Sequence, residues 1–152
     1  MKLSAIIFSL LCFTFTFSAN AADEKEQKAV AMVNLAIEHY KKVGKEKATI
    51  DFNDKENKSF VDGEFYIILS TMEGIAVSHP VNPKMIGNRA GLDLKDINGT
   101  YIIRSMVEVA QTNPSGGWTS YIWTHPDTKK LASKKTYVKV YDNMIFMVGY
   151  YD

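Results

Sequence analysis

The sequence predicts an α+β domain in which helices pack on a single antiparallel sheet. Three observations carry this. One long stretch near the start has apolar residues at helical spacing. A tight hairpin follows in the middle of the chain. Three further β-type runs, joined by short turns, close it.

Taken in order, Asp23 to Val43 reads as a helix. Ala29, Met32, Val33, Ala36, Tyr40 and Val43 recur at three- and four-residue steps and form one apolar stripe. Asp23, Glu24 and Glu26 are expected in the first turn, where acids favour the positive end of the helix dipole. Lys41 and Lys42 suit the last turn, and Gly44 suits the stop. His39 lies beside the stripe and is expected to be solvated. Glu46 to Phe52 reads as a short second helix, and Asn53 to Asp62 as a polar connection. Phe65 to Ser70 and Ile75 to His79 are β-type runs joined by Glu73-Gly74. Pro80, Asn82 and Pro83 end regular pairing, and Met85 to Asn98 is an irregular connection. Tyr101 to Thr112 carries a helical stripe that Asn113-Pro114-Ser115-Gly116-Gly117 breaks. The closing meander is Trp118 to Thr124, Thr136 to Tyr141 and Ile145 to Tyr151, with turns at Pro126–Thr128 and Asp142-Asn143.

The start reads as a secretory leader. Lys2 precedes an apolar run of about 14 residues, short of the roughly 20 that a membrane span needs. Ala19-Asn20-Ala21 supplies a small-x-small cleavage pattern, so residues 1–21 are expected to be removed and residues 22–152 to form one domain. Cleavage takes away the single cysteine, Cys12, and Lys2, leaving 17 basic against 17 acidic residues. A neutral exported chain has no electrostatic pull towards nucleic acid. With no disulfide framework and no second apolar span, the expected location is a bacterial periplasm, free of the membrane.

The candidate site is a cup on the sheet. His79 ends the hairpin's second run, and Trp118, Tyr121 and Trp123 fall within six residues beside Gly116-Gly117. Strand alternation puts Tyr121 and Trp123 on one face, with Trp118 on the other or at the strand's entrance. These aromatics are either closed core or the lining of a pocket. Enzymatic signatures are missing: the sequence has no cysteine nucleophile outside the leader, no nucleophile elbow and no HExxH spacing. His39, His79 and His125 are far apart in sequence, and no cofactor or metal is implied.

His79-Pro80-x-Asn82-Pro83, Gly87 and Asp93-Leu-Lys-Asp96-x-Asn98-Gly99 together resemble the central loop of single Cache domains, the PAS-like extracellular sensor modules of bacterial signalling. Gly117-Trp118-x-x-Tyr121-x-Trp123-x-x-Pro126 is similar to that family's next strand. Lys134-x-x-Tyr137-Val138 and Gly149-x-Tyr151 are similar to its last two. The resemblance implies a PAS-like fold with a long N-terminal helix across five or six antiparallel strands. It also implies a pocket for a small ligand, often a short carboxylate or related metabolite, between the sheet and the central loop. Because the sequence ends one residue after the last strand, the implied signalling would act through a separate membrane sensor kinase or chemoreceptor.

The family's pattern adds Lys134 as a partner for an anion, with Tyr137 donating beside it. Arg104 is the alternative carboxylate partner, since a guanidinium grips both oxygens. Tyr66 on the first strand is compatible with either face. Asp96 and Asn98 are expected to hold the loop together. Two functions remain open: a small-molecule binder that reports to a membrane partner, or an interaction module with a filled core. A cavity bounded by Lys134 or Arg104 would favour the first.

Overall fold

The computed structural model describes residues 17–152, with side chains from residue 21 onward. Residues 1–16 of the expected leader lie outside the described residues, and its last five are part of the first helix. The helix α1 spans Phe17–Val43 and α2 spans Lys45–Asn53, with Gly44 turning the chain between them at φ +80°. The strands are β1 (Val61–Asp62), β2 (Phe65–Thr71), β3 (Ala76–Ser78), β4 (Gly117–Thr124), β5 (Leu131–Tyr141) and β6 (Met144–Tyr151). Two 3-10 turns, Pro83–Met85 and Arg89–Asp93, occupy the central loop, and α3 spans Ile102–Thr112.

All strand pairs are antiparallel, in the order β1-β2-β6-β5-β4, with β3 also paired to β2. The expected helix-on-sheet architecture is therefore present, with six strands. β6 is buried at every one of its positions, as a central strand covered on both faces should be. Asp142 and Asn143, both at positive φ, turn β5 into β6; a two-residue loop of that hand matches the strands' twist.

Each face of the sheet has its own apolar layer. On one face, Phe65, Ile67, Leu69, Phe146, Val148 and Tyr150 pack under Ala29, Val33, Ala36 and Tyr40 of α1. On the other, Val138, Ile145 and Met147 meet Ile102, Met106 and Ala110 of α3. Those α3 residues recur every four positions, which is why one side of the helix is buried.

Some expectations need correction. The acids of α1 do not sit in its first turn, because the helix already runs from Phe17; Glu26 instead pairs with Lys135 across the sheet face. His39 is not a solvated residue: its Nε2 lies 2.8 Å from Asp51 Oδ2 and its ring packs on Phe60 and Phe52, joining α1 to α2. The polar connection contains β1, folded back on β2 around Gly63 at φ +61°. β5 starts at Leu131, five residues before the expected Thr136, and this extension carries Lys134.

Candidate functional site

Between the α3 face of the sheet and the central loop lies a cavity of about 290 Å³. Register decides which side chains reach it. Tyr121 of β4 is opposite Lys134 of β5, and Lys134 is opposite Tyr151 of β6, so the three form one row on the cavity face. Tyr66 and Ile68 of β2 and Ile145 and Met147 of β6 line the same space.

Lys134 dominates the electrostatics. It is 2 % exposed, and its Nζ donates to Tyr66 Oη at 2.7 Å. The ammonium lies 4.5 Å from the Tyr66 ring centre and 4.8 Å from that of Tyr151, within cation–π range. Among the described residues, no carboxylate lies within salt-bridge reach of it. The carboxylate of Glu64, which acts on it only at longer range, is engaged by Lys25 at 2.9 Å and by the Tyr151 N–H at 2.9 Å. Burial accordingly pushes the Lys134 pKa down to about 7.

The buried lysine fits because position 149 has no side chain. A Cβ there would lie 2.5 Å from Lys134 Cε and 2.6 Å from Thr136 Oγ1. Thr136 in turn shares a 3.0 Å hydrogen bond with the Tyr121 hydroxyl.

His79 enters from the end of β3, where its N–H donates to Asn53 Oδ1 of α2 at 3.0 Å. The Asn82 N–H donates to His79 Nδ1 at 3.1 Å, so the neutral ring carries its proton on Nε2. Burial first, and then the charge of Lys134, hold the His79 pKa down to about 4. Its ring is tilted over that of Tyr66, with centres 5.5 Å apart. Tyr66 accepts from Lys134 and keeps its own proton, and burial raises its pKa. Lys134 Nζ, Tyr66 O–H and His79 Nε2–H thus form one cluster of donors among the residues that line the cavity. Such a set can hold an oxyanion.

Of the sequence candidates, His79, Tyr66, Tyr121, Trp123 and Lys134 line the cavity. Trp118, Tyr137 and Arg104 do not. Trp118 and Tyr137 face each other across β4 and β5 on the α1 side, with ring centres 5.1 Å apart. Each is three residues from a cavity-facing residue of its own strand, and an odd separation puts them on the other face. Arg104 projects from the exposed side of α3, where it donates to Leu92 O at 2.9 Å and Asp93 Oδ1 at 2.6 Å. It pins the second 3-10 turn. Tyr151, Ile68, Ile145, Met147 and His125 line the cavity although the sequence did not place them among the site candidates. Alternation along β6, once its register is fixed, would have found the odd-numbered ones.

Asp96 ties the loop down. Its Oδ1 accepts from the N–H groups of Asn98 (2.9 Å) and Thr100 (2.8 Å), and its Oδ2 accepts from the Ile122 N–H of β4 at 2.9 Å. These bonds, that from Ile122 foremost, lower its pKa.

The family model for single Cache domain 2 matches residues 21–151. The chain belongs to this family. Cache domains are extracellular or periplasmic sensory modules, and the solved relatives agree in fold. A methyl-accepting chemotaxis protein from Vibrio parahaemolyticus superposes with a TM-score of 0.73 at 18% identity, covering 88% of this chain and 92% of that one. A Cache chemosensory domain solved for its carboxylic acid recognition gives 0.71 at 18%, covering 90% and 99%. The periplasmic sensor domain of a chemotaxis protein gives 0.64 at 19%, covering 86% and 96%. In sequence, the sensor histidine kinase MctS of Rhizobium johnstonii is 25% identical over 142 residues, which is 88% of this chain and 30% of the kinase. The Cache domain thus spans under a third of that relative's length. None of its described helices is long and apolar enough to cross a membrane.

Proposed function

We propose that this Cache domain is a periplasmic binder of a small carboxylate and reports its occupancy to a membrane sensor kinase or chemoreceptor. One observation carries the reading. Lys134 is a buried cation with no carboxylate partner among the described residues, and its Nζ faces a cavity beside two further donors. A buried charge is costly unless paired, so an anionic ligand supplies what the fold omits. The similarity to a sensor kinase and to a domain that recognises carboxylic acids supports the same direction. In this reading the site binds and releases, with no bond made or broken. The other reading, an interaction module with a filled core, is disfavoured by the open volume of about 290 Å³.

A thermal-shift screen of the folded protein against short carboxylates, amino acids and purines tests this. A ligand that binds only the native state adds about 2.7 kcal/mol at a hundredfold excess over Kd. A saturable shift with carboxylates that disappears in Lys134→Met supports the reading. A flat response to every carboxylate removes it.

A further inference from the structure

We propose that the ligand is an elongated monocarboxylate with a medium-length hydrocarbon body, larger than acetate or propionate, lying along the sheet with its carboxylate at Lys134. This rests on the carboxylate reading above and specifies the rest of the molecule.

The charge in the cavity is concentrated at one end, while Asn82 and Asn88 of the central loop add neutral polar groups to its lining. Tyr121, Lys134 and Tyr151 form the row at one end, and Ser70 and Ile145 line the far end. Tyr66 and Ser70 both line it and are four residues apart on β2, a distance of about 13 Å along the strand. Acetate or propionate bound at Lys134 would leave most of that length to water against apolar walls.

Ile68 of β2 is half-buried, pairs with Met147 of β6 and lines the cavity. Opposite it, Ile103 and Val107 of α3 are likewise half-buried and line the same space. Gly74 lets these two side chains pack directly against the turn: a Cβ there would lie 2.8 Å from Ile103 Cγ2 and 3.0 Å from Val107 Cγ2.

Charge excludes a second carboxylate at the tail. The charged residues lining the cavity are Lys134 and Lys129, and Lys129 belongs to the β4–β5 hairpin at the polar end. At the far end the Ser70 hydroxyl donates to Thr71 O at 3.2 Å and leaves no charge to meet an anion. A dicarboxylate lying along the sheet would press its second charge against Ile145.

Calorimetric titration with acetate, butyrate, hexanoate and adipate tests this. Affinity is expected to rise about fourfold per added methylene from acetate to hexanoate. Adipate, as long as hexanoate but doubly charged, is expected to bind at least tenfold more weakly than hexanoate. Ile68→Phe should weaken hexanoate at least tenfold more than it weakens acetate; Val107→Phe, from α3, replaces it if Ile68→Phe misfolds. Acetate or adipate binding as tightly as hexanoate overturns the elongated apolar body but leaves the Lys134 carboxylate site standing. If no acid of any length binds the folded wild type, both readings fall.

Discussion

Replacing Lys134 with methionine should make the unliganded protein more stable. The side chain is 2 % exposed, and burial lowers its pKa from the usual 10.5 to about 7. At about 1.4 kcal/mol per unit, holding the charge in the folded state costs roughly 5 kcal/mol at low pH and about 4 at pH 7, where half the population is neutral. Methionine of similar length removes this cost and loses the hydrogen bond to Tyr66, worth about 1 kcal/mol. The net gain is about 3 kcal/mol at pH 7, on the order of 10 °C in Tm for a domain of this size. The sign follows from proton counts. Between pH 7 and 10.5 the unfolded chain binds more protons at this lysine than the folded one, so wild-type stability rises with pH across that window. It should climb by about 3 kcal/mol from pH 7 to pH 9.5, where the two proteins converge. Urea unfolding at the two pH values reads this directly. The reasoning fails if Lys134→Met is no more stable than wild type at pH 7, or if the gap between them does not close at pH 9.5.

Carboxylate affinity in the wild type should fall about tenfold per pH unit above pH 7, because binding requires the charged form of Lys134; a flat titration profile to pH 9 would contradict this. Gly149→Ala should displace Lys134, abolish carboxylate binding and cost about 1–3 kcal/mol by overpacking, seen as a lower urea midpoint. Trp118→Ala should lower stability by about 2–3 kcal/mol while carboxylate affinity stays within twofold, since its ring packs on the α1 face; loss of binding in a folded variant would put the tryptophan back at the site. Asp96→Ala removes the acceptor of three backbone N–H groups and should lower the urea midpoint. The wild-type carboxyl is held below its usual pKa, so its contribution is present above about pH 4 and lost as pH falls through the lowered value; acid titration of wild type and variant should show the gap closing there.

The framework was readable in the sequence because burial leaves a periodic trace. The α1 stripe from Ala29 to Val43 marks the sheet-facing side, and Asp142-Asn143 marks the hairpin whose turn needs positive φ. The site was readable only in part. Lys134 and Tyr137 share a motif yet stand three apart on one strand, so alternation alone separates them, whatever the motif suggests. Arg104 had the right chemistry on the wrong side of α3, two residues from buried Ile102. Tyr151, Ile145 and Met147 were hidden by the strength of the β6 signal. A strand buried on both faces is apolar throughout, so nothing in it distinguishes cavity wall from core until register is known.

The Asp96 tether also bears on self-association. β4 is the outermost strand beyond β5, so its outward N–H groups are the ones another chain could pair with. Asp96 takes the Ile122 N–H in the middle of that edge. The negative charge that fastens the loop thereby breaks the run of free donors an incoming strand would need. A central loop that loosened enough to release Asp96 would expose β4 for intermolecular sheet growth, linking loop order to solubility at high concentration.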